Sequence, residues 1–237
     1  MMKNPKIILS CLISIMFATT ASATWVPNTV EVPLSFLQGG GSLIFGDGDK
    51  KISEFAWSSR AYGGASRTDP NAMTVQGGRN SVTGDYGLKF SNFSWSAISN
   101  QTVNATLSFK ISILPGYDDA LIKDVWLDLS GAGATGYGVV NATENVRNAD
   151  DSVIASLSCS KQYGDGGVYL VDHAEFAPVK EIWIRSKDIS VTYCGTGPGS
   201  AHISEFYQYY SQVPEPATLV LLGTVGIWIF TRKKRSA

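Results

Sequence analysis

Val103-Asn104-Ala105-Thr106-Leu107-Ser108-Phe109-Lys110-Ile111-Ser112-Ile113 decides the fold class. Every odd position is apolar and every even one polar. Side chains on a strand alternate between two faces, whereas a helix groups them every three or four residues. The stretch therefore reads as a strand with one face in a core and the other in water. Working outward, Asp124 to Leu129 puts Val125, Leu127 and Leu129 on one side, and Ser152 to Cys159 keeps the period with Cys159 inward. Val30–Phe36, Ile52–Trp57, Gly87–Trp95, Tyr137–Ala142, Val168–Val171, Glu181–Arg185 and Ile189–Tyr193 are shorter candidates. Phe90, Phe93 and Trp95 break strict alternation, which predicts a bulge.

Between these runs lie glycine clusters: Gly39-Gly40-Gly41, Gly46-Asp47-Gly48-Asp49, Gly63-Gly64, Gly77-Gly78, Gly164 to Gly167 and Gly195 to Gly199. They read as turns, because glycine reaches the positive φ angles that tight turns need. Many short strands with frequent turns and no long 3.6-residue period predict an antiparallel β-sandwich, jelly-roll-like in type. No repeat of fixed period points to a solenoid or propeller. Residues 206–213 read as a connector beyond the last strand.

The chain has 237 residues, 16% of them charged, with a net charge of −1. Lys3, Lys6, Arg232, Lys233, Lys234 and Arg235 account for six of the 19 basic residues, and Glu215 for one of the 20 acidic ones. Residues 24–213 keep 13 basic and 19 acidic residues, a net of −6. An acidic body argues against nucleic acid as a partner.

Both ends carry addresses. Lys3 and Lys6 precede the apolar run Ile7 to Phe17, and Ala21-Ser22-Ala23 offers small residues to signal peptidase, so residues 1–23 read as a signal peptide cut after Ala23. At the other end, Pro214-Glu215-Pro216 is followed by 12 uncharged residues, Leu219 to Phe230, and then by Arg232-Lys233-Lys234-Arg235. As a helix those 12 residues cover only ~18 Å of a ~30 Å hydrocarbon core, so a transmembrane segment needs roughly residues 217–231 with snorkelling basic ends. The basic cluster then stays cytoplasmic and the body lies on the far side.

This ordered tail resembles the PEP-CTERM sorting signal of Gram-negative bacteria, which is also labelled an ice-binding protein C-terminal domain. The resemblance covers residues 213–237 and is complete at Pro214, Glu215 and Pro216. It implies recognition by an exosortase, a membrane-embedded cysteine protease or transpeptidase. It also implies export to the cell surface or extracellular matrix of a bacterium that makes exopolysaccharide, in biofilm or floc. Gly48-Asp49-Lys50 to Phe55, Ser186-Lys187-Asp188-Ile189 and Ile203-Ser204-Glu205-Phe206 are similar to segments of a recurrent body type in that family. The family assigns that body no activity.

Three functions follow for residues 24–212, in this order: a structural or interaction role in the polymer layer, a glycan-binding module with or without calcium, and a polysaccharide-modifying enzyme. Trp126 and Trp183 are the sugar-stacking candidates, since each is out of phase with inward neighbours; Trp57, Trp95, Tyr207, Tyr209 and Tyr210 complete the aromatic set. Asp47 and Asp49 flank Gly48 as candidate Ca²⁺ ligands, and Asp118-Asp119 and Asp150-Asp151 are similar pairs, but the 12-residue EF-hand pattern is missing. Asp172-His173 reads as a solvated pair at a strand end. With no Gly-x-Ser-x-Gly elbow and no identifiable carboxylate pair, the body reads as a non-enzyme. Cys11 leaves with the signal peptide. Cys159 and Cys194 remain, and an even count in an exported chain predicts a disulfide between them.

Overall fold

The computed structural model describes residues 24–65, 69–117, 120–163 and 168–212. The expected signal peptide, the expected sorting tail, Asp118-Asp119 and the expected turn at 164–167 lie outside these residues. Among the described residues every strand pair is antiparallel. The first sheet runs in the order β1 (Trp25–Pro27), β5 (Thr74–Asn80), β6 (Tyr86–Ser91), β17 (Phe206–Tyr210), β9 (Ile122–Asp128) and β14 (Val171–Val179), with β2 (Val32–Pro33) also on β5. The second runs β13 (Val168–Tyr169), β12 (Val153–Gln162), β11 (Gly138–Arg147), β15 (Glu181–Tyr193), β8 (Thr102–Ile113), β4 (Lys50–Tyr62) and β3 (Leu43–Phe45). A small sheet, β10 (Ala132–Ala134), β16 (Ala201–Ile203) and β7 (Trp95–Ala97), and one helix, α1 (Leu34–Gln38), complete the fold.

The two large sheets face each other as a sandwich. On β8, Val103, Ala105, Leu107, Phe109 and Ile111 are buried, while Asn104, Thr106, Ser108 and Lys110 face outward, as the alternation requires. Val125, Leu127 and Leu129 are buried in the same way. Phe90 of the first sheet stacks on Phe206 at 4.5 Å and meets Phe109 of the second at 5.9 Å, so aromatic rings bridge the sheets.

Several expectations are corrected. Val30–Phe36 is no single strand: Pro33 ends a two-residue β2, and the chain turns into α1, whose Leu34 and Leu37 are buried. The expected bulge near Phe93 is a break. At Asn92, where φ is 62°, the chain leaves β6 and enters β7 in a different sheet. Glu181–Arg185 and Ile189–Tyr193 are one 13-residue strand interrupted by a bulge. The described part of the expected connector is not a connector. Residues 206–210 form β17, which pairs with both β6 and β9 inside the first sheet. Its aromatic run Phe206-Tyr207-Gln208-Tyr209-Tyr210 is strand-favouring, and closeness to the tail conceals that.

The Cys159–Cys194 disulfide is not formed. Cys159 is buried on β12 and Cys194 is exposed beyond β15. Cys159 pairs across to Ala142 and Ala142 to Ile189, so two strand spacings separate Cys159 from Ile189. That is ~10 Å, and Cys194 is five residues farther along, about 17 Å more. A disulfide needs Cα atoms within roughly 7 Å. Instead the Cys159 thiol donates to the Leu127 carbonyl oxygen at 3.3 Å, and burial pushes it up to about 12.

A candidate glycan-binding face on the first sheet

The outer face of the first sheet gathers aromatic rings from strands far apart in sequence. Alternation on β17 sends Phe206, Gln208 and Tyr210 into the core and turns Tyr207 and Tyr209 to the other face, where Tyr207 is half-buried and Tyr209 is covered by its neighbours. On β9, Trp126 points outward between buried Val125 and Leu127. Register aligns Tyr209 with Trp126 on one side and with Gly87 on the other. Directly paired residues of this kind have Cβ atoms roughly 5 Å apart. Tyr207 and Tyr209 lie parallel at 5.9 Å, and Trp25 of β1 tilts against both at 5.5 and 6.1 Å. At the far edge His173 of β14 stacks on Trp126 at 3.9 Å. The strip thus runs Trp25, Tyr207, Tyr209, Trp126, His173 across the sheet.

Glycines seat these rings. Gly78 lies under the Trp25 indole, where an added Cβ would come within 2.5 Å of Cζ2. Gly87 lies under Tyr209, whose Cδ1 would be 2.8 Å from a Cβ. Gly77-Gly78 is therefore no turn but the interior of β5, where missing side chains let rings rest on the backbone.

Polar groups border the strip. Lys89 pairs with Glu205 at 2.7 Å and sits 5.7 Å from the Tyr207 ring centre. Tyr207 Oη donates to Glu205 at 2.8 Å, and Trp25 Nε1 donates to Gln76 at 3.2 Å. Burial raises the Glu205 carboxyl, but hydrogen bonds from Lys89 and Tyr207 outweigh it and hold the group below its ordinary range. Burial raises Asp128, only partly offset by the Ser130 N–H it accepts at 2.7 Å. Burial and then nearby carboxylates push both Tyr207 and Tyr209 well above the usual phenol range, so both phenols stay uncharged. A strip of ring faces edged by donors and acceptors can stack the apolar faces of sugar rings and hydrogen-bond their hydroxyls.

Among the described residues, Asp124, His173 and Glu175 form a group able to hold a divalent cation, with ligand atoms within 4.8 Å of one another. It adjoins the Trp126–His173 stack. Asp172 and His173 are the second and third residues of β14, half-buried near its start and paired with Leu127 and Trp126 of β9. Asp47 and Asp49 have other employment. Asp49 is buried against the Lys50 ammonium at 3.0 Å and accepts from Gln212, while Asp47 accepts from the Tyr86 hydroxyl. A cation entering that turn would have to displace Lys50. Asp150 caps its own turn by accepting the Ser152 N–H at 2.9 Å, and Asp151 pairs with Arg185.

The structure separates the two singled-out tryptophans. Trp183 is on the outer face of the second sheet, with the Arg185 guanidinium 3.7 Å and Lys110 Nζ 5.1 Å from its ring centre. Trp57, Trp95 and Tyr210 are core. Trp25 is not among the expected platform residues; its position close to the expected signal-peptide cut conceals it, and only the β1–β5 register and the ring contacts place it beside Tyr207 and Tyr209. The outer face of the second sheet also bears a polar depression of about 470 Å³ lined by Asn104, Thr106, Asn141, Thr143, Asp188 and Ser190.

No protein-family model and no curated protein matches the chain. Among solved structures it is similar to TmCBM61 in complex with β-1,4-galactotriose, at 14% identity and TM-score 0.29, over 65% of this chain and 88% of that one. It is similar to a family 11 carbohydrate-binding module from Clostridium thermocellum in complex with a mixed-linked tetrasaccharide, at 11% identity and TM-score 0.24, over 66% and 86%. The active domain of bacteriophage CBA120 tailspike protein 4 gives 14% identity and TM-score 0.25, over 65% of this chain and 19% of that one. Scores of this size establish no common fold; the sandwich stands on the strand pairing described above.

Proposed function

We propose that residues 24–212 are a glycan-binding module that stacks sugar rings on Trp25, Tyr207 and Trp126, with Tyr209 as the floor. The observation that carries this reading is the seating of those rings. Two strand-interior glycines, at a conformational cost to the sheet, leave room for the Trp25 indole over Gly78 and for the Tyr209 ring beside Gly87. The polar edge of Lys89, Glu205, Asp128 and Gln76 supplies hydrogen-bonding groups for hydroxyls. The face serves binding rather than catalysis, and its partner is an extracellular polysaccharide.

The two termini support the setting in which such a module works. Signal peptidase removes residues 1–23, and the Pro214-Glu215-Pro216 tail is handled by an exosortase-type enzyme. The body then reaches the surface or matrix of a Gram-negative bacterium, where it binds exopolysaccharide and contributes to biofilm or floc.

The test is binding of the purified protein to the producing bacterium's own exopolysaccharide, with Trp126→Ala and Tyr207→Ala against Trp183→Ala. A stacked ring contributes roughly 1–3 kcal/mol. The first two variants should therefore bind about 5- to 150-fold more weakly, and Trp183→Ala should bind as the parent does. Equal losses for all three, or no binding by the parent, would remove the platform.

A further inference from the structure

Between the sheets sits a polar group that the glycan face does not use. Lys187 and Gln208 are fully buried and Glu144 is nearly so. Lys187 reaches the core because of the bulge in β15. Ile184 and Lys187 both face inward against Phe109 and Leu107 of β8, with one residue more on β15 than on its partner. Without that extra residue the alternation would turn Lys187 out to solvent. Glu144 is its cross-strand neighbour on β11, and Gln208 comes from the opposite sheet on β17.

The three side chains meet in one place. Lys187 Nζ touches Gln208 Oε1 and lies 2.8 Å from Glu144 Oε2. Gln208 Nε2 donates to Glu144 Oε1 at 2.6 Å. The rings of Phe206, Phe109 and Phe90 stand 4.9, 5.9 and 6.0 Å from Nζ and keep water out. One carboxylate thus bridges an amine and the nitrogen of a carboxamide whose carbonyl the amine already touches. Ordinary packing does not call for such an arrangement, since a buried ion pair is weak evidence of stability and apolar residues of similar volume often serve as well.

We propose that Lys187 and Gln208 are joined by an intramolecular isopeptide bond, with Glu144 as the proton relay. Nζ attacks Cδ of Gln208, and Glu144 Oε2 takes the Nζ proton. Glu144 Oε1 gives a proton to Nε2, the Cδ–Nε2 bond breaks, and ammonia leaves. One C–N bond forms, one C–N bond breaks, nothing is oxidised or reduced, and no co-reactant is needed. Burial lowers the Lys187 amine below its ordinary value, although Glu144 opposes this, and so favours the neutral nucleophile that the attack requires. The aromatic surround withholds the water that would compete for the carbonyl. The bond would tie the two sheets together through β15 and β17. Because β17 is the last strand before the C-terminal tail, a chain held by that tail would transmit load to β15 as well.

The intact mass of the full-length protein tests this. The expected result is about 17 Da below the mass calculated for a chain with the same two ends, the loss of one ammonia. Cleavage after glutamate should then yield Ile182–Glu205 covalently joined to the peptide beginning at Phe206. The Glu144→Gln variant keeps the volume but lacks the relay, and should show the full mass with both peptides free. A parent protein of unchanged mass, yielding the two peptides separately, overturns the proposal whether or not the variant folds. A joined peptide persisting in Glu144→Gln overturns the role of Glu144. Glycan binding has no part in either readout, so the proposal stands or falls apart from the function proposed above.

Discussion

Gly87→Ala is the most searching perturbation of the aromatic face. A methyl group there would overlap the Gln208 carbonyl oxygen and lie 2.8 Å from Tyr209 Cδ1. The oxygen belongs to β17, which is held on both sides, so it has no free direction of retreat. Overpacking of this kind costs about 1–3 kcal/mol. Forcing β6 and β17 apart weakens a ladder hydrogen bond worth ~1 kcal/mol more. The sum of about 2–4 kcal/mol becomes a fall in Tm of roughly 4–16 °C for a chain of this length. Gly78→Ala is the matched control. Its methyl would meet Trp25 Cζ2 at 2.5 Å and Val26 O at 2.6 Å, but both belong to the three-residue edge strand β1, which can move. The loss there is the aromatic contact of Trp25, about 0.5–1.5 kcal/mol, or ~1–6 °C. Thermal unfolding followed by circular dichroism reads both values. Gly78→Ala should also weaken polysaccharide binding while leaving the fold nearly as stable. A Gly87→Ala protein melting within about 2 °C of the parent would show that β6 and β17 do not approach so closely at Gly87, and the seating of Tyr209 there would lose its support.

Iodoacetamide should modify one cysteine of the native protein, exposed Cys194, and reach Cys159 only after denaturation; two protected cysteines that become reactive on reduction would restore the disulfide. Asp128→Asn should stabilise the protein at neutral pH, because burial holds the folded-state carboxyl above its unfolded value. The folded state then binds more protons than the unfolded one, so the parent loses stability as pH rises through that window, and the variant's advantage should vanish as pH falls below the ordinary carboxylate range. Urea unfolding across pH checks this, and a difference independent of pH would refute it.

What the sequence determined by itself was the all-β class and the inward face of the strands with strict alternation, Val103–Ile111 and Val125–Leu129. Those are local signals. Alternation along Val103–Ile113 has a single reading because a strand's period is two, and it held at every one of the five buried positions from Val103 to Ile111. Positive φ at Gly46, Gly48, Gly63 and Gly64 likewise follows from glycine in short turns. The tertiary structure decided whatever depends on pairing. Gly77-Gly78 looks like a turn until Trp25 and Thr29 are seen occupying the space above it. Cysteine parity suggested a bridge that strand order forbids, because β11 lies between β12 and β15. Trp126 and Trp183 have the same local pattern, yet they are on different sheets. Tyr207, Tyr209, Trp126 and Trp25 come from three strands that only the first sheet places side by side, and Lys187, Glu144 and Gln208 from three strands of two sheets. Which residues share a face is local information, but which faces meet is set by long-range pairing, which no window of sequence contains.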